Sequence, residues 1–316
     1  MIEYLRIYEV GPRDGLQNET TLISTSDKSR LIDGLVAAGL RNLELTSFVH
    51  PKAVPQMADA DEIMAGTLAR HQDGRLLLSG LVFNERGYDR AMTAGCRAIA
   101  IGAAVSESFS QANTGMSTDL ALKKARKLLG WAQRDNVWTR VYISTAWVCP
   151  FEGAVQPSKT IAYAEKLWEM GMDELAIADT IGHANPLEVG RLMEQLGKRL
   201  DMNKLAVHLH DTQALGMANT TAAIQAGVRI HDSSIGGLGG CPFAPGAAGN
   251  LATEDLVFLA YKLGLGTGVD FVRLWDVVAE VEQMVNRPVG GRIRAWWESE
   301  GRLIDDGPFF NPQSQP

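Results

Sequence analysis

Two short motifs at opposite ends of the chain carry residue types able to do chemistry together. One is Glu9-Val10-Gly11-Pro12-Arg13-Asp14-Gly15-Leu16-Gln17-Asn18-Glu19; the other is Val207-His208-Leu209-His210-Asp211-Thr212. In an extended strand, residues two apart point the same way, so His208 and His210 project together. Two imidazoles on one face suit a divalent metal. Asp14 offers a hard oxygen ligand beside them, and Arg13 a permanent positive charge. A fold that joins the motifs makes a metal site next to an anion-stabilising arginine. A His-x-His pair alone would equally suit packed or solvent-facing rings; the Asp211-Thr212 that follows and the remote Arg13-Asp14 favour the metal. Asp211 reads as an orienting partner to the ligands.

The elements that must position these residues alternate in type. Short apolar, β-rich runs occur at 5–10, 42–48, 76–82, 98–105, 141–148, 174–180, 205–211 and 230–236. Such runs fit a parallel sheet covered on its outside. Amphipathic helical stretches lie at 28–38, 60–69, 120–133, 161–170 and 187–198. Ser24 to Asp27 supplies N-cap chemistry for the first, and Gly39 its stop. Eight strand signals with intervening helices predict an α/β fold, a (β/α)8 TIM barrel with extra C-terminal helices and an irregular tail. A doubly wound open sheet is the alternative, but it would separate the first and last strands. The barrel makes them neighbours; Arg13-Asp14 follow the first strand, Glu44 lies in the second, the two histidines in the seventh, and Cys241 comes after the eighth. The domain reading is a catalytic barrel over 1–286 and a tail over 287–316, packed on the barrel or on a partner subunit.

Composition sets the bounds. The 316 residues are 46% hydrophobic and 21% charged, ordinary for a globular protein, and the net charge of −7 argues against a phosphate-tracking nucleic-acid surface. No apolar run is long enough to span a membrane. Cys96, Cys149 and Cys241 fit neither a disulfide framework nor a zinc finger. With no leader-like start, the expectation is a cytoplasmic enzyme.

These motifs resemble the 3-hydroxy-3-methylglutaryl-CoA lyase family, within the metal-dependent barrel lyases related to Claisen-condensing enzymes. The resemblance runs from about Tyr8 to Leu256. It rests on residues 11–19, 46–59 (Thr-Ser-Phe-Val-His-Pro-Lys-Ala-Val-Pro-Gln-Met-Ala-Asp), 149–153 (Cys-Pro-Phe-Glu-Gly), 178–182 (Ala-Asp-Thr-Ile-Gly), 208–212 and 237–255. It implies cleavage of 3-hydroxy-3-methylglutaryl-CoA to acetyl-CoA and acetoacetate, an acyl-CoA substrate, and a homodimer. It implies Asp14, His208, His210 and Asn250 around Mg²⁺ or Mn²⁺, and Arg13 and Cys241 as catalytic residues. Glu44, Asp179 and Glu254 match positions important to the site, and Asn113 a contact on the CoA side.

The chemistry is consistent with those types. Retro-Claisen cleavage removes a proton from a tertiary alcohol while the departing carbon becomes a thioester enolate. Arg13 suits the enolate oxygen. The Cys241 thiol suits protonation of the enolate carbon. A free cysteine is often an inert buried group, but six glycines between Gly236 and Gly249 argue for a shaped loop. Glu44, a carboxylate in an apolar strand, reads as the group orienting Arg13. His208, Asp14 and a metal-bound water are the candidates for the base. Asn250 also suits a helix cap near Ala252. The rival functions are a lyase for another branched 3-hydroxyacyl-CoA, a condensing synthase and a non-catalytic acyl-CoA binder. The absence of a long regulatory domain and the Cys241 loop argue against the synthase.

Overall fold

The strand pattern closes on itself. In the computed structural model, which describes residues 3–72, 74–240 and 249–300, eight parallel strands form a closed barrel. In chain order the strands are β1 (Arg6–Glu9), β2 (Asn42–Ser47), β3 (Leu77–Val82), β4 (Ala98–Ala104) and β5 (Trp138–Ser144), then a small hairpin of β6 (Val148–Cys149) and β7 (Gly153–Ala154), then β8 (Glu174–Asp179), β9 (Leu205–Leu209) and β10 (Ile230–Ser233). The hairpin stands outside the barrel, whose seam pairs β1 with β10. This closure rules out the open-sheet alternative.

The helices are α1 (Thr25–Ala37), α2 (Ala60–Arg70), α3 (Glu85–Thr93), α4 (Glu107–Thr114), α5 (Thr118–Arg134), α6 (Pro157–Trp168), α7 (Pro186–Gly197), α8 (Gly216–Gln225), α9 (Thr253–Lys262), α10 (Phe271–Val285) and α11 (Arg294–Ser299). Ser24 accepts from the Asp27 amide and starts α1 three residues earlier than the apolar pattern suggests. Gly39 follows at φ +103, and a Cβ there would lie 2.4 Å from the Gly268 carbonyl oxygen, so only glycine ends α1 this way. Helices α3, α4 and α8 are additions to the sequence reading. The small residues of α8 leave little 3.6-residue period, whereas α3 is strongly amphipathic, and Asn84 and Ser106 cap α3 and α4 through their side chains. The strand expected at 141–148 ends instead at Ser144, because Thr145 turns to φ +55 and Val148 joins the hairpin.

Strand parity sorts the core into two layers. Leu43, Leu45, Ile99, Ile101, Val141, Ile143, Leu175, Ile177, Leu205 and Val207 belong to a large apolar layer shared with the helices. The opposite face contributes only Leu81, Ala100, Tyr142, Ala176, Ala206 and Ile230 to a small inner cluster. The remaining inner positions are small, as at Ala98, Gly102, Ala104 and Ala178, or polar and charged, as at Glu44, Arg140, Glu174 and His208. After α10, Trp297 stacks on Trp275 with ring centroids 5.4 Å apart, and the Arg292 and Ile293 amides donate to Asp255. Among the described residues, no helix is long and apolar enough to cross a membrane.

Candidate active site

The site is assembled at the C-terminal rim of the barrel, where residues leaving the strands face one another. After β1 the chain makes one wide turn over Gly11–Gly15, in which the amides of Arg13, Asp14 and Gly15 all point at the Val10 carbonyl oxygen, at 3.1, 2.7 and 3.1 Å. Wide single turns of this kind recur at functional sites. A Cβ on Gly15 would come within 2.6 Å of Ser234 Oγ, so the turn can sit this close to the end of β10 only with glycine there. It delivers Arg13 and Asp14, both buried, to the barrel axis.

Arg13 is held by two carboxylates. Its Nε donates to Glu44 Oε1 and its Nη1 to Asp14 Oδ1. Glu44 is completely buried on β2, and its other oxygen accepts from Tyr142 Oη at 3.0 Å. The guanidinium also lies 5.7 Å from the Tyr142 ring centre. One planar cation is thereby fixed on three sides.

His208 and His210 meet as their spacing predicts. Their Nε2 atoms are 3.2 Å apart, and Asp14 Oδ2 lies 3.9 Å from His208 Nε2. Among the described residues, Asp14, His208 and His210 are the one cluster of metal-type side chains, with ligand atoms all within 4.8 Å of one another. His208 Nδ1 is 3.0 Å from Asp232 Oδ2. That contact places the ring proton on Nδ1 and turns the Nε2 lone pair toward His210 and Asp14. Two imidazole lone pairs and a carboxylate converging on one point repel each other unless a cation lies among them, so the donor set fits a divalent metal. Burial pushes the Asp14 carboxyl up, but Arg13 and the two imidazoles outweigh it and hold the group down at about 2.

Asn250 joins this group through an isolated bridge between its backbone and that of His210. Its Nδ2 donates to Asp14 Oδ2 at 2.8 Å and to the Leu238 carbonyl oxygen at 3.1 Å. In this arrangement its side chain is a donor to Asp14, and its oxygen serves a metal only after the amide turns over. Asp211, read as an orienting group, accepts from the Gly216 amide at 2.8 Å and from Arg292 Nε at 2.6 Å, which ties the chain after α10 to the rim. Asp179 accepts from the His183 and Ala184 amides and shapes the loop after β8. Glu254, wholly buried, accepts from the Gly236 amide at 3.1 Å. Burial pushes its carboxyl up to about 8, and neighbouring Asp255 adds to the rise.

Of these groups, Arg13, Asp14, His208 and His210 line a cavity of about 650 Å³. Asn113, Met116 and Lys124 line the same cavity, as do Val49, Ala53, Val54 and Pro55. Asn113 therefore shares the cavity with the metal-type cluster without joining it. Cys241 lies outside the described residues. Asn18 Nδ2 donates to the carbonyl oxygen of Gly240, the residue just before it, at 3.0 Å.

The sequence reading passed over three residues that support these groups. Asp232 orients His208, Tyr142 holds Glu44, and Arg140 donates to both Tyr142 Oη at 3.2 Å and Asp232 Oδ1 at 2.5 Å. For Arg140 the available signal was the one that exposed Glu44, a lone charge inside its strand, whereas Asp232 sits among polar residues in Ile230–Ser233.

The similarities to known proteins agree with this geometry. The HMGL-like family model matches residues 4–281. The chain is 41% identical to the hydroxymethylglutaryl-CoA lyase of Pseudomonas mevalonii over 93% of this chain and 95% of that protein. It is 39% identical to hydroxymethylglutaryl-CoA lyase YngG of Bacillus subtilis, over 90% and 95% of the two chains. The crystal structure of the hydroxymethylglutaryl-CoA lyase from Pseudomonas aeruginosa superposes with a TM-score of 0.90 at 38% identity, covering 95% of this chain and 99% of that one. An HMG-CoA lyase from Acinetobacter baumannii, solved in complex with coenzyme A and 3-methylmalate, gives a TM-score of 0.88 at 32% identity over 92% and 94%. With its barrel, its rim motifs and this similarity over nearly its whole length, the chain belongs to the HMGL-like family, that of the hydroxymethylglutaryl-CoA lyases.

Proposed function

We propose that this chain is a carbon–carbon lyase that cleaves 3-hydroxy-3-methylglutaryl-CoA to acetyl-CoA and acetoacetate. The observation that carries the reading is the convergence of Asp14, His208 and His210 beside the clamped guanidinium of Arg13, all lining a cavity large enough for a thioester's acyl end. Asp14, His208, His210 and, through its amide oxygen, Asn250 would hold the cation, Mg²⁺ or Mn²⁺. When bound, the cation lowers the pKa of the substrate hydroxyl and fixes its orientation.

The residues of the chain do the rest. The hydroxyl proton leaves to a base in the His208–Asp14 cluster. The bond between the hydroxyl-bearing carbon and the thioester α-carbon breaks, its electron pair stays on the thioester side, and the alcohol carbon becomes the ketone of acetoacetate. Arg13 meets the negative charge that develops on the thioester oxygen, and Glu44 keeps it aimed there without reorganisation during the reaction. Cys241 gives its thiol proton to the enolate carbon and completes acetyl-CoA. Asn113 contacts the CoA portion across the cavity.

Residues 1–286 form the catalytic unit, and 287–316 a tail; the contacts of Arg292 and Trp297 with the barrel support tail packing against it. The free, buried thiols of Cys96 and Cys149 favour a reducing, cytoplasmic location. A homodimer is the proposed assembly, and light scattering tests it. The activity is tested with 3-hydroxy-3-methylglutaryl-CoA and Mg²⁺ or Mn²⁺, following acetyl-CoA and acetoacetate by mass spectrometry with an EDTA control. EDTA-sensitive formation of both products is the expected outcome. Metal binding without turnover rejects this substrate in favour of another branched 3-hydroxyacyl-CoA.

A further inference from the structure

Lys28 is a buried charge that the chemistry above does not use. It lies on α1, is only 4% exposed, and gives its ammonium to Asp59 Oδ1 and Oδ2 at 2.8 and 3.0 Å and to the Gln56 carbonyl oxygen. Burying an ammonium is costly unless every donor is met, and here three acceptors meet it. All three belong to the segment that runs from β2 into α2.

The acceptors are themselves diverted from ordinary roles. Asp59 occupies the position before α2 where an aspartate normally caps the helix, yet its side chain makes no capping bond. It accepts from Lys28 and, at 2.9 Å, from Thr25 Oγ1. Gln56, also 4% exposed, reaches back to the segment after the Arg13–Asp14 turn: Oε1 accepts from the Ile23 amide at 3.0 Å, and Nε2 donates to the Thr21 carbonyl oxygen at 2.9 Å. Residues 56–59 are thus hooked onto 21–28 by four side chains.

The residues just before those hooks, Val49, Ala53, Val54 and Pro55, form one apolar stretch of the active-site cavity's lining. At their far end, Arg90 donates to the Val49 carbonyl oxygen at 2.8 Å. The wall is suspended between two anchors, one of which is built from buried charge and linked to the chain segment that bears Arg13 and Asp14. We propose that Lys28, with Asp59 and Gln56, is a positioning device that sets the distance of this wall from the metal-type cluster and so governs affinity for the acyl-CoA thioester. This rests on the lyase reading for the identity of the ligand. A strut that merely joins α1 to α2 would affect stability but leave thioester binding unchanged in folded protein.

The test uses Lys28→Met and Thr25→Val, the second removing only one hydrogen bond to Asp59. The KM and kcat for 3-hydroxy-3-methylglutaryl-CoA, the Kd of free CoA by calorimetry and the Kd of Mn²⁺ are compared with the unaltered protein. In Lys28→Met, KM and the CoA Kd should rise roughly tenfold, the mark of lost uniform binding, while kcat and the Mn²⁺ Kd stay within about twofold. Thr25→Val should shift KM and the CoA Kd the same way by about twofold. Unchanged KM and CoA Kd in folded Lys28→Met overturn the proposal, as does a fall in kcat and Mn²⁺ affinity with KM unmoved. If Lys28→Met does not fold, unchanged values in Thr25→Val overturn it. If the unaltered protein fails to turn over the thioester, the lyase reading falls, and the CoA affinities still decide the role of the clamp.

Discussion

The two faces of the barrel wall are packed on opposite principles. Outside, the strands meet the helices through aliphatic side chains such as Leu43, Ile99, Ile177 and Leu192, which interact by shape and area alone. Inside, the fully buried Arg140 bridges Glu174 Oε1 at 3.0 Å and Asp232 Oδ1 at 2.5 Å, and its guanidinium lies 3.8 Å from the Tyr8 ring centre. Arg6, at the opposite end of β1 from the site, completes the string by donating to Glu174. The inner string ends on His208, so its charges are continuous with the site. The outer layer supplies stability, and the inner layer spends some of that stability on orientation.

The largest effect should come from breaking the inner string at its centre. Arg140→Met keeps the bulk but leaves Asp232 and Glu174 buried without their shared cation. Removing one partner of a buried pair costs about 3–5 kcal/mol. Thermal unfolding should show that loss together with weakened Mn²⁺ binding, because Asp232 no longer has a fixed position behind His208. A variant with unaltered metal affinity would separate the string from the site.

The matching break outside is Leu192→Ala, in α7 and 2% exposed. A cavity of that size costs about 2–5 kcal/mol. In chemical denaturation the midpoint should fall, but below the transition kcat and Mn²⁺ affinity should remain those of the unaltered protein. If kcat fell in step with stability, the outer layer would also be setting the site's geometry, and the division between the faces would fail.

A smaller and more selective change is Asp232→Asn. It removes the carboxylate that fixes His208 while Arg140 keeps Glu174. The carboxylate behind a ligating histidine is typically worth about 10–100-fold in metal affinity. Mn²⁺ titration followed by electron paramagnetic resonance measures this directly. An unchanged Kd would mean that the His210 and Asp14 contacts alone hold the ring.

How far these layers can be read from the sequence follows from their physics. The outer layer is legible, because apolar runs bounded by caps such as Ser24 and stops such as Gly39 carry their own period. Arg13, Asp14, His208 and His210 are legible for a related reason: each pair is local, and a spacing of one or two fixes their relative direction. The Asp232–His208 contact is not local. It depends on the register that sets Asp232 opposite His208 across β10 and β9, which only barrel closure determines. Arg140 and Glu174 were hidden in the same way, as charges whose partners lie on other strands. The Lys28 clamp was hidden because lysine in an amphipathic helix normally reads as a solvated face. The catalytic role given to Cys241 rests on the motif resemblance and the glycines around it.

The smallest predicted effect probes whether a buried inner carboxyl is held neutral. Glu254 ordinarily titrates near 4.5, and burial moves it to about 8 in the folded chain. Between those values the folded protein retains a proton that the unfolded chain has released, so stability must fall as pH rises. The contribution is whole below about 4.5, is lost progressively as pH climbs through about 8, and changes no further above that. Glu9, raised to about 7 by the same burial, adds a parallel decline at lower pH. Glu254→Gln keeps an oxygen for the Gly236 amide but has no proton to lose. In EDTA-treated protein, the melting temperature of the variant relative to the unaltered chain should therefore climb between pH 5 and about pH 8 and level off above it, by a few degrees in a chain of this size. Two curves that run parallel across that range would mean that Glu254 is ionised throughout, and that the interior around it tolerates a charge which only the Gly236 amide is seen to meet.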